Sequence, residues 1–81
     1  MDTYEQLINA IYALRDEAIL ASSKASASAK NKGTSKEVVF RRVEANHLEL
    51  AITKARSVLE TLEQLGETNA HALASLSAQQ E

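Results

Sequence analysis

The residues best able to do chemistry in this chain are cations. Lys24, Lys30, Lys32, Lys36, Arg41 and Arg42 fall within nineteen positions that hold one acid, Glu37, a local balance of +6 − 1 = +5. The other 62 residues carry three bases and ten acids. Such a cluster can bind an anion, and Thr34, Ser35, Ser26 and Ser28 add hydroxyl donors beside it. Capping signals start a helix in the same stretch, and free N–H groups at a helix start favour phosphate. The alternative is a solvated tip whose lysines keep an Ala/Ser segment soluble. Arg41 interrupts an apolar series where a hydrophobe is expected; near a helix end it could snorkel to solvent, or it could meet a buried anion. The acidic remainder (pI ≈ 5.7 overall) would repel a long phosphate backbone, so a compact phosphate ligand fits better than a polynucleotide.

Other chemistry is sparse. There is no Cys, hence no thiolate nucleophile, disulfide or thiolate metal site. No Ser stands in a nucleophile elbow and no Gly-rich phosphate loop occurs. No catalytic residue and no cofactor is therefore expected. Glu44-Ala45-Asn46-His47 is Glu-x-x-His, the spacing used in di-iron helical bundles, and Glu17 could join it from another helix. His47 falls off the apolar stripe and the pattern is common by chance, so no metal is assigned. Tyr12 flanks an apolar stripe, where most tyrosines are boundary core residues and a minority stack on ligand rings.

The elements that must position these residues are helices. Fourteen Ala, ten Leu, no Pro and one Phe among 81 residues give an all-α chain with little core material. Asp2 or Thr3 caps a first helix over about 3–30, with Tyr4, Leu7, Ile11, Leu14, Ala18, Ala21 and Ala25 on one face. Gly33 ends it, and Thr34-x-x-Glu37 caps a second helix over about 35–65. Its inward stripe is expected to be Val38, Ala45, Leu48, Ile52, Ala55, Leu59 and Leu62, with Arg41 as the charged exception. Val39, Val43 and Leu50 form a patch opposite that stripe, read as an oligomer contact in preference to cover by a third helix. Gly66 is expected to stop helix two, and Thr68 to cap a short third helix over about 69–79. The short loop makes the first two helices an antiparallel hairpin in which residue i faces about residue 65 − i. The chain 1–81 is one domain, and its thin core points to a homo-oligomer. The acidic N-terminus is unlike a signal peptide, no segment is a membrane span, and a cytoplasmic protein is expected.

The run Glu49-Leu50-Ala51-Ile52-Thr53-Lys54, followed by Ala55-Arg56-Ser57-Val58-Leu59-Glu60, resembles a helix of the small phage-encoded hairpin proteins that act as cyclic-nucleotide sponges. These are the anti-CBASS sponge family and its anti-Thoeris relatives. The likeness covers about 20 of the 81 residues. Ala55-Arg56 stands where Leu-Glu is usual, and Asn46-His47 where Arg-Glu is often seen. The resemblance implies a compact homo-oligomer, hexameric in the family, that sequesters cyclic di- or trinucleotides used by bacterial defences as an alarm. It implies binding without catalysis. By resemblance, Tyr4 or Tyr12 would stack on a base and Lys24 would hold phosphate, while Arg41, Arg42, Asn46 and Thr53 would serve a trinucleotide pocket. Lys36 joins the candidates from the basic cluster. A helical adaptor for a partner protein and an RNA-binding hairpin dimer are the alternatives.

Overall fold

A computed structural model describes residues 2–80. It consists of two helices, α1 (Thr3–Lys30) and α2 (Ser35–Gln80), packed as an antiparallel hairpin. The Asp2 side chain accepts the Glu5 N–H at 2.9 Å and so caps α1. At the tip, Asn31 closes α1 through its N–H to the Ala27 and Ser28 carbonyls, and Gly33 turns the chain at φ +82°. Only glycine adopts that backbone without strain. Gly33→Ala is therefore expected to cost about 1 kcal/mol, seen as a lower Tm with unchanged helix content; an unchanged Tm would show that the turn relaxes freely.

The capping box of α2 is shifted from the expected one. The Thr34 hydroxyl accepts the Lys36 N–H, and the Glu37 carboxylate accepts the N–H of Gly33 at 2.9 Å.

The expected third helix is not a separate element. α2 continues through Gly66 to Gln80, 46 residues in all. A glycine inside a helix costs only about 1 kcal/mol relative to Ala, and Ala- and Leu-rich sequence on both sides outweighs that. Nothing lies within 4 Å of where a Gly66 Cβ would be. α2 accounts for the molecule's 70 Å length, against 20 and 15 Å in the other directions. Its last eighteen or so residues project beyond the start of α1, with Leu73 and Leu76 exposed.

The seam between the helices follows a heptad pattern on both sides. In α1 it runs through Leu7, Ala10, Leu14, Glu17, Ala21, Lys24 and Ser28 to Asn31 just beyond the helix, every one buried or half-buried. In α2 it runs through Glu37, Phe40, Glu44, His47, Ala51, Lys54, Val58, Thr61 and Leu65, again all buried or half-buried. Alternating steps of three and four are the signature of coiled-coil packing. The facing estimate holds: Ser28 meets Glu37, and Glu17 meets His47.

This seam corrects the expected inward stripes. In α2 the series Val38, Ala45, Leu48, Ile52, Ala55, Leu59, Leu62 is a real heptad stripe, but it lies one residue past the seam and is exposed. In α1, Leu7, Leu14, Ala21 and Ala25 are covered, whereas Tyr4, Ile11 and Ala18 are exposed. The reason is chemical pairing across the seam. Polar groups that look like surface residues in the sequence satisfy one another between the helices, and small residues of α1 let the backbones approach. Of the opposite patch, Val43 is half-buried while Val39 and Leu50 are exposed. Among the described residues the buried apolar ones are Leu7, Ala21 and Val58, joined by Ser28 at 0% exposure. Among the described residues, no helix is long and apolar enough to cross a membrane.

Candidate functional site: the basic tip and the polar seam

The cations of the sequence cluster gather at the closed end of the hairpin, because α1 ends and α2 begins there. Lys24 lies in the seam with its Nζ 5.6 Å from the centre of the Phe40 ring, a cation–π distance. Arg41 Nη1 donates to Glu44 Oε1 at 2.7 Å. Lys30, Lys32, Lys36 and Arg42 are exposed and form no ion pair among the described residues.

The helix start itself is already occupied. The Glu37 carboxylate and the Thr34 hydroxyl take N–H groups there, the Thr34 hydroxyl donates to the Asn31 carbonyl, and Ser28 Oγ donates to the Glu37 carbonyl. The expected anion at the N-terminus of α2 therefore meets an acid. What stays available to an anion is the fringe of lysines and arginines.

The other candidates lie elsewhere. Tyr4 and Tyr12 sit toward the open end, about 30 and 18 Å along α1 from Lys24 at 1.5 Å per residue. Both are exposed, and the Arg15 guanidinium stands 5.3 Å from the Tyr12 ring centre. Thr53 Oγ1 donates back to the Glu49 carbonyl, and Asn46 is exposed. Lys24, Lys36, Arg41, Arg42 and Asn46 thus share one end of the molecule but point to different sides of it. A single chain does not bring the tyrosines to them, and it encloses no cavity among the described residues.

A second polar cluster lies mid-seam. Glu17 accepts from His47 Nδ1 at 2.8 Å on one oxygen and from Lys54 Nζ at 3.1 Å on the other. An ionised carboxylate can only accept, so the Nδ1 proton belongs to histidine. These contacts, His47 first and Lys54 next, hold the Glu17 carboxyl below its usual value of 4.5. The Glu-x-x-His pair is thereby drawn into ordinary ion pairing: His47 and Lys54 occupy Glu17, and Arg41 occupies Glu44. No group of three metal-ligating side chains forms among the described residues. The sequence reading did not make Lys54 a candidate, although its place one heptad after His47 puts it on the same seam.

Comparison with protein-family models, with curated proteins and with solved structures found no match.

Proposed function

We propose that this chain is a non-enzymatic binding protein that assembles with copies of itself and sequesters cyclic di- or trinucleotides, blunting a bacterial anti-phage alarm from within the infected cell's cytoplasm. The observation that carries the reading is the concentration of positive charge at the hairpin tip, with four cations outside any ion pair among the described residues. A chain whose described residues enclose no cavity can hold a small anion only between copies, and a hexamer of hairpins would supply such spaces. The likeness of residues 49–60 to the sponge family supplies the ligand class. In this arrangement Lys24, Lys36, Arg41 and Arg42 would meet phosphates. Asn46, Thr53 and a tyrosine, Tyr4 or Tyr12, from a neighbouring copy would meet bases.

The test is a thermal-shift panel of cyclic dinucleotides and trinucleotides, with native mass spectrometry of the same samples. The expected result is a Tm rise of several degrees for at least one of them, with intact ligand recovered after denaturation. At a hundredfold excess of ligand over Kd, linkage gives about 2.7 kcal/mol. Arg42→Glu should abolish the shift while leaving the free protein's stability within about 0.5 kcal/mol of the original. A silent panel would sink the reading. The exposed apolar residues favour a second one, an adaptor docking a partner protein, which a stoichiometric heterocomplex from a monomeric chain would establish.

A further inference from the structure

The exposed apolar stripe of α2 has a counterpart on α1. In each helix the residue one step past the seam lies about 100° around the axis. The helices are antiparallel, so these rotations have opposite sense seen from one end. Because the seams face each other, both rotations lead to the same side of the hairpin. Tyr4, Ile8 and Ile11 of α1 therefore share one face with Leu48, Ile52 and Leu59 of α2, and all six are 43–61% exposed. Toward the tip this face of α1 carries only Ala and Ser, at 18, 22, 25 and 29, apart from Arg15 midway.

We infer that this face binds a second copy of the chain, antiparallel, with the two α2 helices crossing near Ser57. Three observations choose this occupant and direction, the first being surface. The hairpin exposes 6247 Å², whereas a folded monomer of 8.8 kDa exposes about 4,800 Å². The stripe along the 70 Å of α2, in a strip about 10 Å wide, plus the α1 patch offers about 800 Å² per copy, the footprint of a stable pair.

The second observation is register. Antiparallel pairing about Ser57 sets Val38 against Leu76, Leu48 against Gly66, Ile52 against Leu62 and Ala55 against Leu59. Leu48 with Gly66 and Ala55 with Leu59 set large against small, and the two remaining stripe pairs set Arg41 against Leu73 and Ala45 against Asn69. The same operation overlaps only the first three turns of the two α1 helices and brings Ile8 against its own copy. That overlap holds the large apolar residues of α1's face and excludes its Ala/Ser part.

Charge is the third. The tip carries +5 over residues 24–42, while the far half of α2 holds Glu60, Glu63 and Glu67 without a base. Antiparallel pairing about Ser57 sets Glu60 level with the partner's residue 54, a lysine, and brings Glu67 within about two turns of Arg41 and Arg42; tip-to-tip pairing would superpose like charges. The projecting end of α2, bare in one chain, is then covered by the start of the other α2.

This pairing deepens the assembly half of the proposed function and is independent of its ligand. The chain has no cysteine, so single-cysteine variants report it directly with a short bismaleimide. Leu48 and Gly66 are about 27 Å apart along one helix. A mixture of Leu48→Cys and Gly66→Cys should give linked dimers at several times the yield of either variant alone, and Ile8→Cys should link to itself. Circular dichroism confirms that each variant is still helical, and sedimentation of the unsubstituted chain should show a dimer or an even multiple. Links from Leu48→Cys alone with none in the mixture, or a helical monomer at tens of micromolar, would overturn the inference. A silent cyclic-nucleotide panel with these links present removes the ligand and keeps the pairing. A ligand shift without them does the reverse.

Discussion

Leu7→Ala is expected to lower stability by about 2–5 kcal/mol, the range for deleting a buried leucine side chain. In most proteins of this size that would be a serious loss; here it approaches the whole. A chain of this length has a total stability of order 4–12 kcal/mol, and among the described residues this hairpin buries Leu7, Ala21 and Val58 as its apolar core. Leu7 is the largest contribution of α1 to that set and lies at the level of Val58, near the open end where no loop holds the helices together. Its loss should fray the first turns of α1 before the tip separates. Thermal unfolding at fixed protein concentration, followed by circular dichroism, measures the effect. Leu50→Ala, on an exposed position of α2, provides the comparison and should change stability by less than about 0.5 kcal/mol. Equal losses in the two variants would mean that the seam does not run where the packing places it.

The hairpin was legible from capping chemistry: Asp2, Gly33 and Thr34 each act at the position their side chain or backbone favours. The pairing level was legible from loop length. The phase of the seam was not. Apolar periodicity in α2 marks a genuine heptad stripe, but periodicity does not say which partner a stripe faces. A sequence whose hairpin contact is polar and whose apolar residues lie outside inverts the usual inference. The sequence brought Glu17 and His47 together through the facing estimate and the Glu-x-x-His spacing, but as a metal pattern; that they pair with each other and with Lys54 emerges only when the helices are aligned. Gly66 misled for a different reason. A single glycine weakens a helix by less than its neighbours can restore, and no proline follows to enforce a stop. For the candidate ligand residues, residue type located a basic end. It could not show that the start of α2 is taken by Glu37, which depends on how the turn folds back.

Replacing Glu17 by Gln should reduce stability at neutral pH and make it less sensitive to acid. The Glu17 side chain is 14% exposed and holds two cationic or proton-donating partners from α2, one on each oxygen. Glutamine offers one acceptor oxygen in place of two, so either His47 or Lys54 loses its partner within the seam. The sign of the pH dependence follows from the depressed carboxyl. Its folded-state value lies below 4.5 and its unfolded-state value near it, so the unfolded chain takes up the proton first as pH falls. The stabilisation by Glu17 is fully present above 4.5 and is lost as pH falls through the lower, folded-state value. Tm measured from neutral pH downward should thus show the two proteins furthest apart at neutral pH and converging in acid. A gap that stays constant would mean that the cluster acts through shape alone. The same cluster bears on register. Sliding α2 by one heptad along α1 would bring Phe40 and His47 to the places of His47 and Lys54 in one direction, or Lys54 and Thr61 in the other, and each leaves Glu17 with one partner in place of two. The native alignment alone gives Glu17 both partners, which is how a seam with so little apolar surface can still specify one hairpin.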